Sequence, residues 1–268
     1  MNYIHLGKSG CTLEIIENVI IRKSSNKSDY NSRLLLQGIK QLNFPQSRYK
    51  SLRVPKVIKL EDGPQCYFDM EYIPGSSFID FFETSSVQEI DYATNTLINF
   101  LKENLKKAKN KCINEILLEK LALLAPTTKF SETILRLEAV LKKNDLVIPD
   151  SYCHGDMTLS NMLFVNSDIY LIDFLDSFVD SMLIDLIKLK QDLYYYWSLE
   201  MVTVRKIRYI SIFNYMWTKI ENEFGLQVNS KAFKILQVIN FLRIEPYLSK
   251  PREIKLLSDI IHRLGEYE

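Results

Sequence analysis

His154-Gly155-Asp156-Met157-Thr158-Leu159-Ser160-Asn161, followed after a short gap by Leu171-Ile172-Asp173-Phe174, is the stretch of this 268-residue chain on which its reading turns. It lies in a β- and loop-rich island over residues 148–180 that lacks helical period. Two carboxylates and an amide stand there at fixed spacings. Asp156 can orient a hydroxyl and accept its proton. Asn161, five residues on, can turn back from the same loop to ligate a metal ion. Asp173 ends the hydrophobic strand Ile169-Tyr170-Leu171-Ile172 and can ligate the ion from the opposite side. Magnesium accepts such sparse oxygen ligation, completed by phosphates and water, so the arrangement suits phosphoryl transfer from a magnesium-bound nucleotide. The plainer alternative is two surface loops with ordinary turn-forming Asp and Asn.

Ahead of the island, the first 75 residues read as strands with one helix. Strands are expected at Tyr3–Leu6, Thr12–Ile16 and Val19–Lys23, separated by turns at Gly7-Lys8-Ser9-Gly10 and Glu17-Asn18. Leu34, Leu35, Ile39 and Leu42 recur at helical spacing, which predicts a helix over 30–43 ended by Pro45. Strands over Val54–Leu60 and Gln65–Tyr72 meet at Asp62-Gly63-Pro64, a strong turn signal. Beyond Pro74-Gly75 the pattern becomes helical, over 86–107, 112–124, 131–143, 181–224 and 230–264. The expected organisation is α+β: a small β-rich lobe over residues 1–73, a hinge near Ile73-Pro74-Gly75, and a larger helical lobe over 74–268.

Composition narrows the classes. Hydrophobic residues make up 47% and charged residues 25%, typical of a globular protein and unlike a disordered, collagenous or disulfide-stapled chain. A formal net charge of +1 gives no basic excess for polynucleotide binding, so no nucleic-acid partner is expected. Four cysteines, Cys11, Cys66, Cys112 and Cys153, stand singly, without the paired spacing of zinc or redox sites, and read as free thiols in a reducing compartment. Neither a signal-like start nor an apolar run of about 18 residues is present, so a cytoplasmic location without a membrane span is expected.

With its strand-borne Asp173, the His154–Asn161 frame resembles the aminoglycoside phosphotransferase and choline kinase family, whose fold is like that of protein kinases. The resemblance implies a bilobal kinase-like fold and an ATP- and Mg²⁺-dependent kinase acting on a small-molecule hydroxyl. It carries Asp156 onto the catalytic base, and Asn161 and Asp173 onto the metal ligands. Asp173-Phe174-Leu175 lacks the glycine that protein kinases have there. His154 reads as a brace of the loop rather than a titrating group. Gly7, Ser9 and Gly10 fall where the family has its nucleotide-covering loop, although two glycines in a turn also make a plain hairpin. Arg22 and Lys23 compete to hold the phosphates. Neighbouring strand residues face opposite ways, so one alone reaches the cleft, and Lys23 is favoured. Phe68 to Gly75 resembles the adenine-binding linker, with bonds expected from the Glu71 carbonyl and Ile73 N–H and with Met70 behind the ring; a buried strand ending at a Pro-Gly turn would look the same.

One position departs from the family. The glutamate that usually pairs with the phosphate-holding cation aligns with Gln37, which can hydrogen-bond a cation but supplies no charge. That departure motivates the alternative reading, a nucleotide-binding pseudokinase with a regulatory or scaffolding role. Acceptors expected from the resemblance are sugars, amino sugars, choline-like alcohols and aminoglycosides. Asp176, Asp180 and Asp192 are the acidic acceptor-side candidates. Asp185 matches a residue that supports the catalytic loop, or simply favours its helix start. Tyr194-Tyr195-Tyr196-Trp197 with Trp217 raises an aromatic cage for a quaternary ammonium, against which core packing is the plainer reading.

Overall fold

The computed structural model describes residues 3–6, 11–25, 28–63, 65–200, 206–248 and 251–264. In chain order, the front carries strands β1 (Tyr3–Leu6), β2 (Cys11–Ile16) and β3 (Ile20–Ser25), then helix α1 (Ser28–Leu42). Strands β4 (Leu52–Arg53), β5 (Val57–Glu61) and β6 (Cys66–Glu71) follow, then helices α2 (Phe78–Thr84) and α3 (Val87–Lys106). Strand β7 (Lys109–Cys112), helices α4 (Asn114–Leu124) and α5 (Ser131–Lys143), and strands β8 (Val147–Asp150), β9 (Met162–Val165) and β10 (Asp168–Leu171) come next. Helices α6 (Met182–Leu193), α7 (Trp197–Glu200), α8 (Lys206–Val228), α9 (Lys231–Ile244) and α10 (Pro251–Leu264) complete the order.

These elements form two compact units. The first comprises residues 1–100 with 154–176, and the expected boundary at 73/74 falls inside it. Its main sheet is antiparallel in the order β1-β2-β3-β6-β5. Glu17 and Asn18 both take positive φ, 53° and 55°, and Val19 N–H closes onto the Ile16 carbonyl at 3.0 Å. That turn matches the twist of the β2 and β3 strands it joins. Helix α1 packs through Leu34 on the sheet face carrying Cys11, Cys66, Phe68 and Met70. The approach is close at Gly38, where an added Cβ would lie 2.5 Å from Leu60 Cδ2. A second sheet, β4-β10-β9, pairs β10 parallel to β4 and antiparallel to β9.

The second unit, residues 101–153 with 177–268, is mainly helical and includes the β7–β8 pair. Helix α6 is buried on nearly every side and packs on α8 and α9. Its N-terminus is capped by Ser181, whose Oγ accepts from Leu183 N–H.

Most expected elements are present, and the differences have local causes. The strand expected over 54–60 begins at Val57, because Pro55 has no N–H to pair. The helix expected over 181–224 is interrupted at Tyr196, whose φ of 57° is left-handed. Its four aromatics therefore do not sit on one continuous helix. The helix expected over 230–264 breaks at a 3-10 turn, Glu245–Tyr247, that contains Pro246. Helix α2 and the short strands β4 and β7 lie outside the expected elements. No described helix is long and apolar enough to cross a membrane.

Candidate active site

Three segments of the first unit meet around Lys23. Cross-strand pairing sets Ile21 opposite Met70 and Lys23 opposite Phe68, so these four share the face packed on α1. Lys23 is only 5% exposed. Its Nζ donates to Gln37 Oε1 at 2.9 Å, and also to Asp173 Oδ1, a residue 150 positions away. Arg22 faces the other side of the sheet. It donates two hydrogen bonds of 2.8 Å to Asp69, and its guanidinium lies 4.1 Å from the Tyr67 ring centroid. The Asp69 hydrogen bond raises the already high Arg22 pKa further. Of the two adjacent cations, Lys23 therefore is the one that reaches Asp173.

Gln37 aligns where the missing glutamate was expected and keeps contact with the cation. Lysine only donates, so the amide oxygen must face Lys23; Gln37 Nε2 donates the other way, to Tyr30 Oη, at 3.1 Å. One turn further along α1, Lys40 Nζ donates to the Leu175 carbonyl at 3.1 Å, tying the helix to the segment after Asp173. Sequence reasoning passed over Tyr30 and Lys40. The available signal was their spacing from Gln37, seven residues back and three forward, which puts all three on one side of a helix.

The loop itself is built around a neutral histidine. His154 is fully buried and tilts against Phe174, with ring centroids 4.3 Å apart. Its Nε2 lies 2.9 Å from the Ile172 carbonyl, which can only accept; its Nδ1 accepts from Asp156 N–H at 3.2 Å. Those partners fix the tautomer with hydrogen on Nε2. Burial lowers the His154 pKa to about 4. The ring thus joins the backbone of Asp156 to that of the strand leading into Asp173. Gly155 takes φ of 92°, a conformation open to glycine and strained for any side chain.

Asn161 closes the loop from the other end. Its Nδ2 donates to both the backbone O and the Oδ2 of Asp156, each at 2.9 Å, which leaves Oδ1 to face another partner. Its carbonyl accepts from Ile172 N–H at 3.0 Å, so residue 161 lies beside the residue preceding Asp173. Asp173 has positive φ, 61°, and a side chain 53% exposed. The Asn161 amide oxygen and the Asp173 carboxylate are hard donors of the kind Mg²⁺ accepts. Among the described residues, no group of three or more His, Cys, Asp or Glu forms a metal cluster.

The remaining candidates are placed as follows. Met70 is buried in the sheet core, with its Sδ 3.5 Å from Gln41 Nε2. Glu71 N–H donates to the Lys56 carbonyl at 2.9 Å, and the Ile73 carbonyl accepts from Gly75 N–H at 2.9 Å. An added Cβ at Gly75 would lie 2.9 Å from Leu163 Cβ, so glycine permits the approach to β9. Gly7, Ser9 and Gly10 lie outside the described residues. Asp176 is exposed in the first unit. In the second unit, Asp180 is exposed and accepts from Cys153 Sγ at 3.3 Å. Asp192 is fully buried there, accepting from Ser198 Oγ at 2.7 Å; it belongs to the helical interior, not an open acidic surface. Asp185 is likewise buried in the first turn of α6. Two rings of the suggested aromatic cage already face a cation of this chain: Lys190 Nζ lies 5.3 Å from the Tyr194 ring centroid and 5.4 Å from that of Trp217, with Phe233, outside the suggested set, also at 5.4 Å.

Comparison with known proteins identifies the family and the fold. The sequence model of the phosphotransferase enzyme family matches residues 42–217. The streptomycin–ATP ternary complex of APH(2″)-IIa is 16% identical, with 99% of this chain and 92% of that chain covered at a TM-score of 0.65. ADP-bound aminoglycoside phosphotransferase APH(2″)-Ib is 18% identical over 99% and 93%, at 0.61. APH(3″)-Id from Streptomyces rimosus is 11% identical over 90% and 92%, at 0.57. At such identities the likeness is one of fold: the expected α+β, protein-kinase-like architecture with a small β-sheet N-terminal region and a larger, mostly helical C-terminal part. No curated protein sequence matches the chain at a significant level.

Proposed function

The chain belongs to the phosphotransferase enzyme family and is a phosphotransferase acting on hydroxyl groups; from that premise we propose that it moves the γ-phosphoryl group of ATP onto a small polar acceptor. The observation that carries the proposal is the meeting of Lys23, Gln37 and Asp173, from three distant segments, in the unit that also holds the Asp156–Asn161 loop. Asp156 orients the acceptor hydroxyl and accepts its proton as the bond to phosphorus forms. Asn161 Nδ2 holds that carboxylate in place. Asn161 Oδ1 and the Asp173 carboxylate hold Mg²⁺. Lys23 turns its ammonium to the nucleotide phosphates. Bound Mg²⁺ supplies neutralisation of the phosphate charge. Buried and neutral, His154 sets the spacing between the two carboxylate-bearing segments and takes no proton from the acceptor.

Amino sugars and aminoglycosides are the first acceptors to try, because the fold neighbours include complexes with streptomycin and gentamicin. Choline-like acceptors rank lower, since two of the rings that suggested them, Tyr194 and Trp217, already lie against Lys190 and the run of four is broken at Tyr196. The pseudokinase alternative gains no support: its motive was a loosely held cation, and Lys23 has two partners. The test is release of ADP from MgATP across an acceptor panel. Asp156→Asn should lower turnover by at least about a hundredfold. Unchanged kcat in that variant would remove Asp156 from the reaction.

A further inference from the structure

Lys23 has two partners of different kinds. Gln37 offers an oriented but neutral oxygen, fixed by its own bond to Tyr30, and Asp173 offers the charge. The cation is buried and the carboxylate is half in solvent. A carboxylate at position 37 would neutralise Lys23 from α1 and leave Asp173 free. With an amide there, the carboxylate expected to hold the metal is also the counter-ion of the buried lysine.

We propose that Gln37 makes the Lys23–Asp173 ion pair a latch, which closes the metal site in the nucleotide-free protein and opens only when polyphosphate and divalent metal enter together. The inference rests on the phosphotransferase reading of this site. A metal ion arriving alone must take Asp173 from Lys23, leaving a buried ammonium with only an amide oxygen, a costly state. A polyphosphate arriving alone meets an ammonium already neutralised and a carboxylate that repels it. When both arrive, the metal takes the Asp173 oxygen and the phosphates take the ammonium, so every charge stays paired. By linkage, each ligand then raises the affinity for the other by the same factor. Gln37 is a positioning residue in this scheme and touches neither ligand.

The test uses Mn²⁺ alone, an oxygen-seeking substitute for Mg²⁺, with free ion read by electron paramagnetic resonance during titration of the nucleotide-free, full-length protein. Gln37→Glu supplies Lys23 with another counter-ion and should tighten Mn²⁺ binding by at least about tenfold. Adding Asp173→Asn to that variant should abolish the gain. Lys23→Met releases Asp173 by a different route and should also tighten Mn²⁺ binding, which keeps the test decisive if the buried carboxylate unfolds the protein. No gain in either single variant would overturn the latch, as would a gain that survives Asp173→Asn, because the introduced carboxylate would then be binding the ion itself. The outcome separates from that of the phosphotransferase reading. Wild-type turnover without any gain in the variants removes the latch and keeps the kinase; gains with no ADP release on any acceptor would leave the Lys23–Asp173 pairing standing and overturn the phosphotransferase reading of the site that it serves.

Discussion

Lys23 and Lys190 are both drawn out of water, one in each unit, and the chain holds them by opposite means. Lys23 is paired with an amide oxygen and a carboxylate that is 53% exposed. Lys190, on α6, is surrounded by the faces of Tyr194, Trp217 and Phe233, and burial lowers its pKa. The first arrangement leaves a positive and a negative group side by side at an accessible position, ready to be separated by a ligand that carries both signs. The second holds a cation against ring quadrupoles with Glu221 acting at longer range, and among the described residues no ion pair or hydrogen bond of its ammonium offers a ligand a carboxylate to displace. Buried charge alone therefore does not mark a site; the marker is a buried charge whose partner is half in solvent.

The largest expected effect breaks the comparison at its polar end. Lys23→Met should reduce turnover by roughly a thousandfold, about 4 kcal/mol of transition-state stabilisation. Steady-state kinetics at saturating MgATP checks this, and a variant with wild-type kcat would put Lys23 on a par with Lys190. His154 gives the next effect, because its fully buried ring stays neutral beside the charged groups of the site. Its folded pKa, about 4, is depressed below the ordinary 6.5. The unfolded chain therefore takes up the proton first. This contribution to stability is intact above about pH 6.5 and is lost as pH falls towards 4, by about 3 kcal/mol in all. Denaturant unfolding between pH 4 and 7 measures it, and His154→Gln should lose that part of the slope. An identical pH dependence in wild type and variant would mean that the ring is not held neutral.

The polar end was largely legible in the sequence and the aromatic end was not, for a physical reason. Asp156, Asn161 and Asp173 work at short sequence separations or at a strand end, where local geometry nearly determines direction. The Lys23 and Arg22 alternative followed from strand alternation, and pairing of β3 with β6 resolves it by sending Arg22 to Asp69. Tyr194 to Trp197 looked like four faces of one helix. The break at Tyr196, with its left-handed φ, depends on how α6 ends, and no glycine or proline announces it there. The burial of Asp192 is not legible in the sequence: a lone Asp on a helix does not reveal whether it faces solvent or a buried Ser198 six residues away. The spacing of Tyr30 and Gln37 places them on one side of α1, but the helix pattern does not show what lies opposite, Lys23 and Asp173.

The smallest effect sharpens the comparison from the aromatic side. Lys190→Met removes attraction to three rings, worth roughly 0.5–2 kcal/mol, and also removes the cost of keeping an ammonium away from water. The flexible thioether side chain fits the same space and packs favourably on aromatic rings. These terms oppose one another, so stability should change by less than about 1 kcal/mol, a shift of a few degrees or less in Tm. Turnover should stay at the wild-type level. A loss of several kcal/mol would show that Glu221, which attracts Lys190, acts as a counter-ion that matters, as Asp173 does for Lys23. A fall in kcat with stability intact would move Lys190 to the acceptor side of the reaction and erase the contrast between the two lysines.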